Sequence, residues 1–119
     1  DPVKYIRDRV KSNYKKDTEC RICGSTETLE FHHFNSVAEM YNAWAARKGL
    51  SVDTAEAIIE VRDMFIEEHW EEMVNTCVTL CKKHHAGLHR IYGKNPSVAT
   101  ATKQANWVEK QRDKLKTQE

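Results

Sequence analysis

The feature that most constrains this 119-residue chain is the spacing of its cysteines and histidines. Cys20-Arg21-Ile22-Cys23-Gly24 forms a C-x-x-C knuckle, and Cys81-Lys82-Lys83-His84 supplies a C-x-x-H much later in the chain. Thiols mixed with histidine at these spacings read as zinc ligands rather than disulfide partners, and they imply a reducing compartment. The histidines concentrate in two runs, His32-His33 and His84-His85-x-x-x-His89. On a helix, positions i and i+4 share a face, so His85 and His89 can grip one metal together. His84 lies about 100° round that helix, and it completes a tetrahedral site with Cys20, Cys23 and Cys81. The adjacent histidines thus divide between two metals.

The second metal takes His85, His89 and one histidine of the earlier pair; spacing alone leaves open which of His32 and His33 binds and which is free. Three protein ligands leave coordination positions for phosphate and water, which separates a catalytic site from a closed structural one. The unbound histidine suits a general base, since imidazole titrates near neutrality. The Cys₃His zinc is expected to hold the fold, because its binding free energy is largely folding free energy.

The remaining sequence reads as a mostly helical α+β scaffold in one domain, residues 1–119. Asp1-Pro2 opens a helix with Val3, Ile6, Val10 and Tyr14 at helical spacing, ending near Lys15. Gly24 permits the tight turn of the knuckle. Leu29-Glu30-Phe31-His32-His33-Phe34 alternates as a short strand that points its two histidines to opposite faces. Ser36-Val37-Ala38-Glu39 is a capping box, opening a helix that stops at Gly49. A cap at Ser51 or Asp53 begins a longer helix to about Met73, with Ala55, Ile58, Ile59, Phe65, Ile66, Trp70 and Met73 as its apolar set. These two helices form an inserted hairpin over about 36–73. Val78-Thr79-Leu80 is a second strand, and Lys82 to about Tyr92 is the histidine-bearing helix. Asn95-Pro96 caps a last helix to roughly Leu115, with Val98, Ala101, Ala105, Val108 and Leu115 buried. Cys77 reads as a small buried hydrophobe, His69 as a surface histidine, and Trp44, Trp70 and Trp107 as core.

Net charge is +1, but residues 34–73 carry nine acids and three bases, so −6 there faces +7 elsewhere. A basic body with an acidic appendage suits a polyanion met on one face, and leaves the hairpin as a surface for a protein partner. Lys82, Lys83, Arg90 and Lys94 surround the metal helix and are candidate phosphate contacts. Lys4, Arg7, Arg9, Lys11, Lys15 and Lys16 form a second basic cluster suited to a backbone-tracking helix. No residue set reads base edges. The first residues carry no signal-peptide pattern, and no apolar run approaches the roughly 18 residues of a membrane span.

The run Leu29-Glu30-Phe31-His32-His33, then Asn75, then Leu80-Cys81-x-x-His84-His85-x-x-x-His89 resembles the HNH (ββα-metal) endonuclease signature, in a treble-clef-like zinc frame. The resemblance covers roughly 20–34 and 75–92. It implies two short antiparallel strands plus a metal-bearing helix, with His32 as metal ligand, His33 as general base and Asn75 bracing the loop that holds the base. It implies a structural Zn²⁺, a catalytic divalent metal (Mg²⁺, Mn²⁺, Ni²⁺ or Zn²⁺) and hydrolysis of DNA to 5′-phosphate products. A monomer with one such site nicks; a dimer is needed for a concerted double-strand break. Asn75 stands ten residues before His85, one more than the usual interval, which falls on Thr76. The long insertion resembles those of phage-encoded members, which places the protein in the cytoplasm of a phage-infected bacterium. The alternative is a zinc-stabilised DNA-binding module without catalysis.

Overall fold

A computed structural model describes residues 2–14 and 16–117. Asp1 and Lys15, which the sequence reading assigns to the two ends of the first helix, lie outside them. The elements run α1 (Lys4–Asn13), β1 (Leu29–His33), α2 (Val37–Lys48), α3 (Ala55–Glu68), a π-helical turn (Glu71–Asn75), β2 (Cys77–Cys81), α4 (Lys82–Tyr92), a 3₁₀ turn (Val98–Thr100) and α5 (Ala101–Thr117). The fold is α+β and mostly helical, as the periodicity requires. No helix among the described residues is long and apolar enough to cross a membrane.

β1 and β2 pair antiparallel, with Leu29 opposite Cys81 and His33 opposite Cys77. This register sets the cysteine at the end of β2 beside the start of β1. It also delivers α4 directly from the last strand residue. The knuckle is held against the sheet by Arg21 N–H donating to the Thr79 carbonyl at 3.0 Å. Gly24, at φ +76°, closes the turn by returning its N–H to Cys20.

Buried side chains fall into two clusters. One joins Val3, before α1, and Ile6 and Val10 of α1 to Tyr41 and Trp44 of α2, Ile58, Phe65 and Ile66 of α3, and Met73 and Val74. The other joins Cys20, Ile22, Val78, Leu80 and Leu88 to Val108 of α5. The hairpin therefore buries its apolar faces against α1, and α5 covers the histidine-bearing helix α4.

Helix boundaries follow the caps. Ser36 accepts from Glu39 N–H at 3.2 Å, and Gly49 ends α2 in the left-handed conformation at φ +68°. Glu39 does not complete the capping box; its carboxylate accepts from Val98 N–H instead, tying α2 to the approach of α5. Three expectations need correction. Thr54, not Ser51 or Asp53, caps α3, its hydroxyl accepting from Ala57 N–H at 3.1 Å. The long helix stops at Glu68, and the π-helical turn that follows places Met73 and Val74 in the core and leaves Trp70 exposed; Ile59, within α3, is exposed as well. Ser97, not Asn95-Pro96, caps the last helical segment through Ala99 N–H, and Leu115 is exposed.

Candidate metal centres

The fold brings two groups of metal-ligating side chains together. In the first, Cys20 and Cys23 come from the knuckle, Cys81 from the end of β2 and His84 from the first turn of α4. Cys23 Sγ lies 3.8 Å from Cys81 Sγ, and His84 Nδ1 lies 3.3 and 3.9 Å from the sulfurs of Cys81 and Cys20. A tetrahedron with metal–sulfur bonds of about 2.3 Å has edges of about 3.8 Å, so the donor set and its spacing fit one ion. All four thiols of the chain are free, so the cluster is not disulfide-bonded. Burial pushes the Cys20 thiol up, but hydrogen bonds from the backbone of Cys23, Cys81 and Ile22 outweigh it and hold the thiol below its ordinary value. Partial desolvation, with the neighbouring Cys20 and Cys81 thiols, raises the Cys23 thiol, and burial depresses His84.

The second group is His32, His85 and His89. His32 comes from β1 and is buried; His85 and His89 stand one turn apart on α4 and are half-buried. His32 Nδ1 lies 3.0 Å from His85 Nε2, which lies 2.9 Å from His89 Nε2. Each ring's other nitrogen is held by an oxygen. His32 Nε2 donates to Gln104 Oε1 at 2.8 Å, His85 Nδ1 to Glu30 Oε1 at 2.9 Å, and His89 Nδ1 to the Gly93 carbonyl at 2.8 Å. Gln104 can only accept there, because its amide nitrogen already donates to Thr100 Oγ1 at 2.9 Å and the Phe34 carbonyl at 3.4 Å.

A neutral imidazole has one N–H, and all three rings spend theirs outward. Three lone pairs therefore converge at about 3 Å, a repulsive arrangement unless a cation sits among them. Two nitrogens about 2.1 Å from an ion and at right angles are about 3.0 Å apart, which matches. Burial keeps His32 neutral, pushing it down to about 4.

His33 lies on the other face of β1. Its ring packs on Phe31 at 4.4 Å, whereas His32 packs on Phe34. It too is pushed down to about 4, by burial first and then by the nearby charges of Lys11 and Arg7, against an opposing hydrogen bond to the Met73 backbone. Its Nε2 is buried and has no partner. Asn75 is exposed on the π-helical turn and donates to Glu71 at 2.9 Å. Lys82, Lys83, Arg90 and Lys94 are exposed around α4.

A cleft of about 540 Å³ opens beside the histidines, lined by Lys11, Tyr14, Lys16, Leu29, Glu30, Phe31 and His85. Sequence reasoning missed Glu30 and Gln104 as partners of the histidines. Glu30 shares a strand face with His32, two residues on, a signal available from alternation. Gln104 is a polar residue inside the apolar stripe Ala101, Ala105 and Val108, which marks it as buried for a reason other than hydrophobicity.

Fold and site together define a small α+β chain with two separate places for a metal ion, one closed by four ligands and one open to a basic cleft. The profile of the nicking endonuclease family matches residues 1–118, and the chain belongs to that family of DNA-cutting enzymes. No solved structure matches the chain.

Proposed function

We propose that this chain is a metal-dependent endonuclease of the HNH (ββα-metal) type that nicks DNA as a monomer. The observation that carries this reading is the convergence of three histidine lone pairs beside a cleft lined by lysines. The strand pair followed directly by the histidine-bearing helix supports the same class. His32, His85 and His89 hold the catalytic ion, and Cys20, Cys23, Cys81 and His84 hold a structural zinc. A divalent cation at the histidines supplies charge neutralisation at the scissile phosphate and at the departing oxygen. Gln104, Glu30 and the Gly93 carbonyl fix the tautomers that aim the ligands.

His33 is the proposed general base. Its low pKa keeps the ring neutral, and its unpartnered Nε2 offers a lone pair for the proton of the attacking water. Asn75 braces the turn behind it, and Lys82, Lys83, Arg90 and Lys94 contact DNA backbone in this scheme. The acidic hairpin serves as a surface for a protein partner, in the cytoplasm of a phage-infected bacterium.

One observation favours a second choice of base. Glu30 lines the cleft beside His85, whereas His33 faces α1 from the other side of β1. Plasmid nicking with Mg²⁺, Mn²⁺ or Ni²⁺ decides between them. His33→Ala is expected to lower the rate about 10²- to 10⁴-fold with metal content unchanged. Full activity in folded His33→Ala together with loss in Glu30→Gln moves the role to Glu30. Nicking by a folded, metal-depleted His89→Ala protein overturns the metal-dependent reading itself.

A further inference from the structure

The cleft beside His85 has a construction that the nuclease reading does not by itself explain. It runs along the edge of β1 not paired with β2, between the C-terminal end of α1 and the start of α4. Its floor is the stacked pair Tyr14 and Phe31, with ring centroids 3.7 Å apart and planes 17° from parallel. Its walls carry two ammonium groups. Lys16 is anchored at the rim by donating to the Leu29 carbonyl at 3.2 Å, which leaves hydrogens on Nζ for another acceptor. Lys11 is exposed and, like Lys16, is in no ion pair among the described residues. Arg9 on the same helix is occupied by Asp63 of α3 at 3.0 Å, so it is not available to the cleft.

Lys4, Arg7 and Lys11 recur at helical spacing on one face of α1, with Asp8 the one acid among them, and Arg7 and Lys11 both act on His33. This stripe leads along α1 into the cleft and ends at His85. The α4 lysines sit elsewhere. Lys82 and Lys83 line a different groove, with Cys23, Glu27 and His84, on the side of the Cys₃His cluster. A polyanion reaching the histidines therefore meets Lys11 and Lys16 before it meets Lys82 or Lys83.

Resting on the nuclease reading, we propose that this cleft seats the backbone of the cleaved DNA strand immediately beside the scissile phosphate. Lys11 and Lys16 take phosphates, and the Tyr14–Phe31 floor packs against deoxyribose. Its volume falls in the about 300–1,000 Å³ range of pockets that hold one small molecule. It accommodates a nucleotide or two of one strand rather than a duplex, which accords with cutting one strand at a time.

The test is the salt dependence of binding to a fluorescent duplex oligonucleotide, read by anisotropy with the full chain and no added divalent cation. Each lost phosphate contact lowers the slope of log K against log salt by about 0.9. Lys11→Gln/Lys16→Gln is expected to lower it by about 1.8 and to weaken binding at least about tenfold at moderate salt. Lys114→Gln/Lys116→Gln, of equal charge change at the far end of α5, is the control expected to leave the slope alone. Lys11→Glu, an exposed helix position, repeats the test if the double variant melts early. An unchanged slope in folded Lys11→Gln/Lys16→Gln, or a fall confined to Lys82→Gln/Lys83→Gln, overturns the proposal. The nuclease reading is probed separately by nicking in His89→Ala, whose activity has no bearing on the slope.

Discussion

The two candidate ligand clusters both draw on α4, through His84 in one and His85 and His89 in the other, yet they are built in different ways. The Cys₃His group is assembled by backbone. The knuckle closes through Gly24 N–H to the Cys20 carbonyl and Cys20 N–H to the Ser25 carbonyl, and the Cys20 thiol accepts further backbone hydrogen bonds. Its four donors would complete a tetrahedron round an ion and leave no open position. The histidine group is steadied mainly by side chains from other elements, Glu30 of β1 and Gln104 of α5, with the local Gly93 carbonyl holding His89. Its three donors leave the cleft side open. A closed, backbone-made site suits a structural ion, because it is rigid and excludes reactants. An open site with side-chain supports suits chemistry, because each ligand can be aimed without rebuilding the fold.

The largest expected effect separates the two. Cys81→Ser removes a ligand shared by the knuckle, β2 and α4. Structural zinc binding of about 10–16 kcal/mol in small metal-folded domains exceeds the whole stability of most domains. Loss of the cooperative thermal transition by circular dichroism is therefore expected. His89→Ala removes a half-buried ring from the open site and should move the midpoint by no more than a few degrees. Equal loss of structure in both variants breaks the distinction.

The next effect reaches the open site from α5. Gln104→Leu leaves His32 Nε2 buried without its acceptor, a cost of about 1–3 kcal/mol. It should also weaken metal binding at the histidines about 10- to 100-fold while leaving the Cys₃His ion in place. Calorimetric titration of a divalent ion, with zinc content measured alongside, reads both. Gln104→Glu keeps an acceptor and is expected to recover most of the affinity. If Gln104→Leu releases the Cys₃His ion too, the two sites are not independent.

Much of this was legible in the sequence because the ligands follow helix and strand periods. The i, i+4 spacing of His85 and His89, and the rotation of His84 away from them, are fixed by helix geometry before any folding argument. The alternation of β1 likewise separates His32 from His33. What periodicity does not carry is long-range pairing. Nothing local links Gln104 to His32, and the Tyr14–Phe31 stack depends on how α1 docks on the sheet edge. The end of α3 departs from the sequence pattern for a related reason. Trp70 and Met73 continue an apolar helical pattern, but packing against α1 favours a π-helical turn that buries Met73 and exposes Trp70. Thr54 displaced the earlier capping candidates because it stands directly before the first helical residue.

The smallest effect uses Cys77 as a reporter that belongs to neither site. Its thiol donates to the Met73 carbonyl at 3.3 Å, and burial pushes its pKa up to about 12. At pH 8 only about one such thiol in ten thousand is ionised, and the thiolate is the species that alkylates. Metal-loaded protein is therefore expected to show no rapidly reacting thiol: three are held by the ion and the fourth is protonated. A chelator then turns the comparison into a count by mass spectrometry. If removing the ion only opens the Cys₃His site, Cys20, Cys23 and Cys81 react while Cys77 stays protected under the π-helical turn. If it unfolds β2, as the ligand geometry implies, Cys77 loses its cover and all four react together. Rapid modification of Cys77 with the metal in place contradicts the raised pKa of this half-buried thiol, and protection of Cys23 after chelation removes it from the ligand set.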